Sequence, residues 1–181
     1  MVRKSLILAF GFALAANAAL AGTPARKDLQ VFKDVASSVN RYAQFTIFDD
    51  VSANVHDGVV TLTGSVTMPY KRDDIENRVA KIDGVSQVKD EIKVLPVSPF
   101  DDELRFRIAR AIYGSANFQS YAAMANPPIH IIVENSRVTL TGVVNSNVDR
   151  MLARSLATQF GVLSVTNDLK TDAEMRDVLA K

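Results

Sequence analysis

Two histidines, three adjacent pairs of aspartates and a few single glycines are the residues of this 181-residue chain that could do chemistry. His56 and His130 have no cysteine and no second histidine at ligand spacing, and the chain contains no cysteine, so neither a metal centre nor a nucleophile–base pair is expected. Both read as exposed strand or turn residues. The pairs Asp49-Asp50, Asp73-Asp74 and Asp101-Asp102 could act as acid and base only if their carboxyls faced one another, and neighbours in sequence on a helix or strand do not. They read as helix caps and solvated faces, with Asp101 placed to cap the helix that follows it. The glycines cradle no phosphate, because they occur singly at turn positions. The chain therefore reads as non-enzymatic, with no cofactor, no metal and no small-molecule substrate.

Those residues sit on a repeated framework. The string VTLTG occurs at 60–64 and again at 138–142, an offset of 78, and Gly84-Val85 matches Gly161-Val162 near the end of each copy. A self-similarity of this length is the mark of two copies of one fold. Residues present in both copies are expected to serve the fold, and residues present in one copy are candidates for a particular role.

Each copy reads as helix, strand, strand, helix, strand. Val31, Val35, Val39 and Tyr42 recur at helical spacing, after which Val51, Ala53 and Val55 alternate with polar residues as a half-buried strand does. Asp57-Gly58 then gives a two-residue hairpin turn into 59–63. A second helix carries Ile75, Val79 and Ile82 on one face, Gly84 closes it, and Val88, Ile92 and Val94 resume strand spacing. Copy two repeats the plan with Leu104, Ile108 and Ile112, then Ile129, Ile131 and Val133, then Val138 and Leu140, and finally Leu152, Leu156 and Phe160 on its second helix. The fold class is α+β: two tandem small domains, each with its helices on one face of a three-stranded sheet. Gly58, Gly64, Gly84, Gly142 and Gly161 are the expected fold-defining turn positions.

The chain opens with Arg3 and Lys4, an apolar run over 6–16 and a small-residue site at Ala19 and Ala21, the pattern of a signal peptide cleaved after Ala21. An exported, soluble, periplasmic protein is expected. Cleavage lowers the basic count from 21 to 19 against 20 acidic residues, a mature net charge of −1. With no basic stripe and no interleaved aromatics, nucleic acid is not an expected partner. Lys71, Arg72, Arg78 and Lys81 form a local basic cluster that Asp73, Asp74 and Glu76 offset, so it reads as a solvated helix face.

Domain one spans 28–95, a linker with two prolines 96–100, domain two 101–171 and a C-terminal tail 172–181. The linker is short enough to keep the domains close neighbours. The copies differ most at 113–128. Tyr113, Phe118, Tyr121 and Met124 there either form an apolar patch for a lipid interface or an unfolded client, or fold back to seal the core of copy two. Phe45, Ile47 and Phe48 hold a comparable place in copy one and read as packing residues.

The stretches VHDGVVTLTG (55–64) and VENSRVTLTG (133–142), with Gly84-Val85 leading to Val88 and Gly161-Val162 leading to Val165, Asn167 and Leu169, resemble the BON domain, a small module of bacterial envelope and osmotically inducible periplasmic proteins. The resemblance covers nearly the whole mature chain. It implies a module that binds membrane phospholipid or associates with the cell envelope, with osmotic or envelope stress as its setting. In some tandem members it implies a chaperone (holdase) for envelope proteins.

Where copy one has Gly58, copy two has Ser136, which the turn would hold at positive φ at a cost of about 1 kcal/mol. Ser136→Gly is expected to raise the melting midpoint, and an unchanged or lowered midpoint would contradict the turn.

Overall fold

The computed structural model describes residues 28–179, with side chains to residue 176. The expected signal segment, 1–21, lies outside the described residues. Module one runs α1 (Asp28–Asn40), β1 (Asp50–His56), β2 (Val59–Val66), α2 (Pro69–Val79) and β3 (Gln87–Val94). Module two runs α3 (Pro99–Tyr113), a short 3-10 turn and α4 (Gln119–Ala122), β4 (Ile129–Glu134), β5 (Arg137–Val144), α5 (Asn147–Ala157), β6 (Ser164–Asn167) and β7 (Lys170–Thr171). The last helix, α6 (Asp172–Leu179), lies in the expected tail, where Glu174 pairs with Arg150 of α5 at 2.9 Å.

In both modules the middle strand is antiparallel to the first and parallel to the third: β1-β2-β3 and β4-β5-β6. Module two breaks its third strand in two, so that β7 continues the pairing with β5 beyond Asp168 and Leu169. The period-2 pattern has the expected outcome, with Val60, Leu62, Val138 and Leu140 fully buried beneath the helices. Val31, Val35 and Val39 in one core, and Leu104, Ile108 and Ile112 in the other, occupy equivalent turns of the leading helix at an offset of 73. The second helix of module two ends at Ala157. Phe160 is therefore not on its buried face but lies beyond it, nearly fully exposed.

The leading helices are tied to the hairpins by a carboxylate. Asp28 accepts hydrogen bonds from Asp57 N and Gly58 N at 2.9 and 3.2 Å, and Asp101 accepts them from Asn135 N and Ser136 N, both at 2.9 Å. Asp101 thus caps the hairpin turn, not its own helix. Ser98 is the helix cap, accepting from Asp101 N, with Pro99 in the first turn. Both turns use positive φ, with Asp57 at 49° and Gly58 at 76°, and Asn135 at 51° and Ser136 at 61°.

The glycine of VTLTG answers to a different demand. Gly64 and Gly142 have φ of 118° and 110°, and a Cβ there would lie 2.1 Å from Asp50 O and 1.8 Å from Pro128 O. The first strand can enter the sheet only where the second has no side chain, which is why both copies keep this residue.

The modules meet along β4. Ile131 N donates to Ile47 O at 2.7 Å, so a segment of module one covers the outer edge of the second sheet. Phe48 packs edge-on to Phe106 at 5.2 Å, and Ile47 and Phe48 pack against the second core. Asn126 donates to Asn40 O at 3.1 Å.

Gly64→Ala and Gly142→Ala should each cost at least about 2 kcal/mol, because a Cβ would meet main-chain oxygen in a left-handed conformation. Chemical denaturation checks this, and a loss within about 0.5 kcal/mol would show that the strand crossing relaxes freely.

Candidate functional site

The two modules fill the same corner of the fold with different chemistry. In module one, Asp49 has no exposed surface, and its carboxylate accepts five hydrogen bonds: from Thr46 N and Oγ1, from Thr67 N and Oγ1, and from Lys71 Nζ at 2.6 Å. Burial alone would raise its pKa, but the bonds from Lys71, Thr67 and Thr46 outweigh that and hold it below the ordinary value. Lys71 is buried in this pair and does not belong to a solvated face. In module two, Asn145 and Asp149 stand 78 residues after Thr67 and Lys71. Tyr121 there takes the part of Asp49: its hydroxyl accepts from Asn145 N at 2.7 Å and donates to Asp149 at 2.8 Å.

That role decides the fate of the 113–128 segment. Phe118 and Tyr121 are 0 and 2% exposed in the second core, with ring centroids 5.6 Å apart. The Tyr113 hydroxyl donates to Ile129 O at 2.6 Å and accepts from Ile129 N at 3.1 Å. Of the four residues considered for lipid or client contact, only Met124 keeps a large exposed area. Phe118 and Tyr121 offer no surface to a partner, because the segment folds back to close the barer corner of module two.

The histidines differ. His56 is exposed beside Asp57, but His130 is half-buried at the seam, not on open surface. Its Nδ1 lies 2.6 Å from Asp49 O, and since a carbonyl only accepts, that nitrogen carries a proton. Asp50 is in the same place, its pKa raised by burial and by Asp168, against lowering from His130 and Thr141. The Tyr42 hydroxyl donates to Asp74 at 2.6 Å and is pushed up to about 12 by burial and by that bond. Among the described residues no three His, Cys, Asp or Glu side chains converge as a metal site, and no helix is long and apolar enough to cross a membrane.

Two of the most exposed apolar residues lie elsewhere, at the hairpin end of module two. Phe160 and Leu163 flank Gly161 and are 93 and 71% exposed. The Phe100 ring lies over Gly161, Arg107 donates to Phe160 O, and Leu163 N donates to Ser136 O at 2.8 Å. Exposed Arg137 follows Ser136 and pairs across the sheet with Ser164. At the matching positions module one has Asp34, Val59, Asp83 and Ser86 where module two has Arg107, Arg137, Phe160 and Leu163. Two acids, a valine and a serine have become two bases and two large apolar side chains at one tip. Position 160 reads from sequence as the last apolar position of a helix, and only the helix end at Ala157 reveals it as surface.

The BON domain family matches the chain twice, over residues 28–96 and 101–173. The chain belongs to the BON family. BON domains are non-catalytic binding modules associated with phospholipid and membrane binding, and BON proteins are typically periplasmic or envelope-associated. No curated protein matches the chain. Two structures of CdsD, a structural protein of the type III secretion system of Chlamydia trachomatis, are similar at 16 and 12% identity. They cover 81 and 80% of this chain and 97 and 98% of theirs, with TM-scores of 0.27 and 0.29, a likeness too loose to bear on function.

Asp49 and Asp50 should respond oppositely to substitution. The depressed Asp49 contributes stability above its unfolded pKa that is lost as pH falls through its folded value. The raised Asp50 contributes stability only at low pH, which is lost as pH rises through its folded value, so ionised it weakens the fold at neutrality. At pH 7 Asp49→Asn should lower the melting midpoint and Asp50→Asn should raise it, with the gain at Asp50 shrinking as pH falls through its raised folded value and gone below about pH 4. Midpoints that move in the same direction would contradict the assignment.

Proposed function

We propose that this protein is an exported, non-enzymatic tandem BON protein that binds membrane phospholipid through the hairpin end of module two, with module one and the seam holding that end rigid. The observation that carries the reading is the exposed pair Phe160 and Leu163 between Arg107 and Arg137, present in one copy and absent from the other. Large apolar side chains on a tip rimmed by arginine suit the boundary between acyl chains and anionic headgroups.

The magnitudes describe a weak, reversible contact. Burying two such side chains contributes about 4 kcal/mol, and each arginine near an anionic surface about 1 kcal/mol. The total, about 6 kcal/mol, corresponds to a dissociation constant on the order of tens of micromolar. The mature charge near zero adds no long-range attraction, so the contact depends on this tip.

A role in osmotic or envelope stress is consistent with an exported module of this family. A holdase would need an apolar gripping surface, and the 113–128 segment, with Phe118 and Tyr121 in the core, does not offer one.

Vesicle co-sedimentation tests the proposal. The chain should bind anionic phospholipid vesicles more strongly than zwitterionic ones. Phe160→Ser with Leu163→Ser should weaken binding at least about tenfold with no loss of thermal stability, since both side chains are exposed. Undiminished binding by that folded double variant would overturn the proposal.

A further inference from the structure

The seam between the modules leaves partly open space that the membrane tip does not use. A cavity of about 410 Å³ lies between α1, β1, β5 and α6, and a second of about 450 Å³ adjoins it, the two sharing Asn40, Phe45, His130 and Val143. Both volumes lie in the range of small-molecule sites. The walls of the first are largely apolar, with Phe32, Ala36, Val51, Ala53 and Val143 among them, and one carboxyl, that of Asp50, lines it.

The polar groups around that carboxyl leave it short of donors. The proton on His130 Nδ1 is committed to Asp49 O and Asp168 adds negative potential, which leaves the neutral Thr141 hydroxyl as the side-chain donor to Asp50. The neighbouring carboxylate of Asp49 takes five donors, among them an ammonium. Asp50 has nothing comparable. A half-buried carboxylate beside apolar walls favours a ligand that brings an ammonium group to it and apolar carbon to the walls, and the Phe45 ring adds a face suited to a cation.

We propose that the seam cavity binds a single-chain alkylammonium ion, its head at Asp50 and its chain along Phe32, Val51 and Val143. A fatty acid carboxylate of the same length is excluded by repulsion from Asp50 and Asp168. A neutral alcohol gains the walls but not the charge. The site belongs to the joint and not to either module, since Asp50 and Val51 come from one copy and His130 and Val143 from the other.

The test titrates the isotope-labelled full chain with octylammonium, octanol and octanoate, all below micelle formation, and follows backbone amide shifts. Octylammonium should shift the amides of Val51, Ala53 and Val143 and bind at least about tenfold more tightly than octanol, with octanoate silent. Asp50→Asn, a variant expected to fold at least as stably, should reduce octylammonium affinity to that of octanol. Equal affinity for the amine and the alcohol, unchanged amine affinity in Asp50→Asn, or shifts confined to the Phe160 tip would each overturn the proposal. Phe160→Ser with Leu163→Ser should leave these titrations unaltered, which separates failure of this site from failure of the membrane tip.

Discussion

A carboxylate at the start of each leading helix holds both N–H groups of the neighbouring hairpin turn, and the shape of each module follows from that grip. With Asp101 on Asn135 N and Ser136 N, the turn is held at positive φ, and Ser136 O faces outward to take Leu163 N. The loop with Phe160, Gly161 and Leu163 is fixed to the hairpin through one further bond. Asp28, Gly58 and Ser86 form the same chain of contacts in module one. A rigid tip is what allows exposed apolar side chains to stay exposed without collapsing onto the nearest core.

Because the framework is duplicated, each module serves as the control for the other. At the corner behind the VTLTG glycine, both need a polar group to satisfy the N–H at 67 or 145 and to engage the helix residue four positions on. Module one uses a buried carboxylate and Lys71. Module two uses a phenol and Asp149, which fills more volume and brings Phe118 into the core with it. A buried charge pair is costly to desolvate and is held here by five hydrogen bonds, whereas the phenol meets the same need with little charge to bury. The segment that differs most between the copies thus serves packing, and the short tip that differs by four side chains carries the change of surface.

Much of the architecture is legible in the amino acids. The period switch from Val31, Val35 and Val39 to Val51, Ala53 and Val55 announces helix then strand, and Asp57-Gly58 announces the turn, because each pattern reflects one local steric rule. What is not legible depends on contacts distant in sequence. Asp101 looks like a helix cap and serves a turn 34 residues away. Lys71 looks like one of several surface bases and is buried against Asp49, 22 residues earlier. His130 looks exposed, yet the partner module covers its strand. Phe160 continues the spacing of Leu152 and Leu156, and only the early end of α5 turns it outward. The aromatics of 113–128 advertise a surface by composition alone, and the Tyr121 hydroxyl, with two partners in the interior, shows why they do not form one.

The central claim is that the end of module two enters the bilayer and the matching end of module one does not. The chain has no tryptophan, so a single indole reports on one position. Phe160→Trp and Asp83→Trp should be compared on anionic vesicles whose acyl chains carry bromine. Blue-shifted emission and strong quenching at position 160, with water-like unquenched emission at position 83, is the predicted result. Equal quenching at both positions, or none at 160 while the protein is bound, would contradict it.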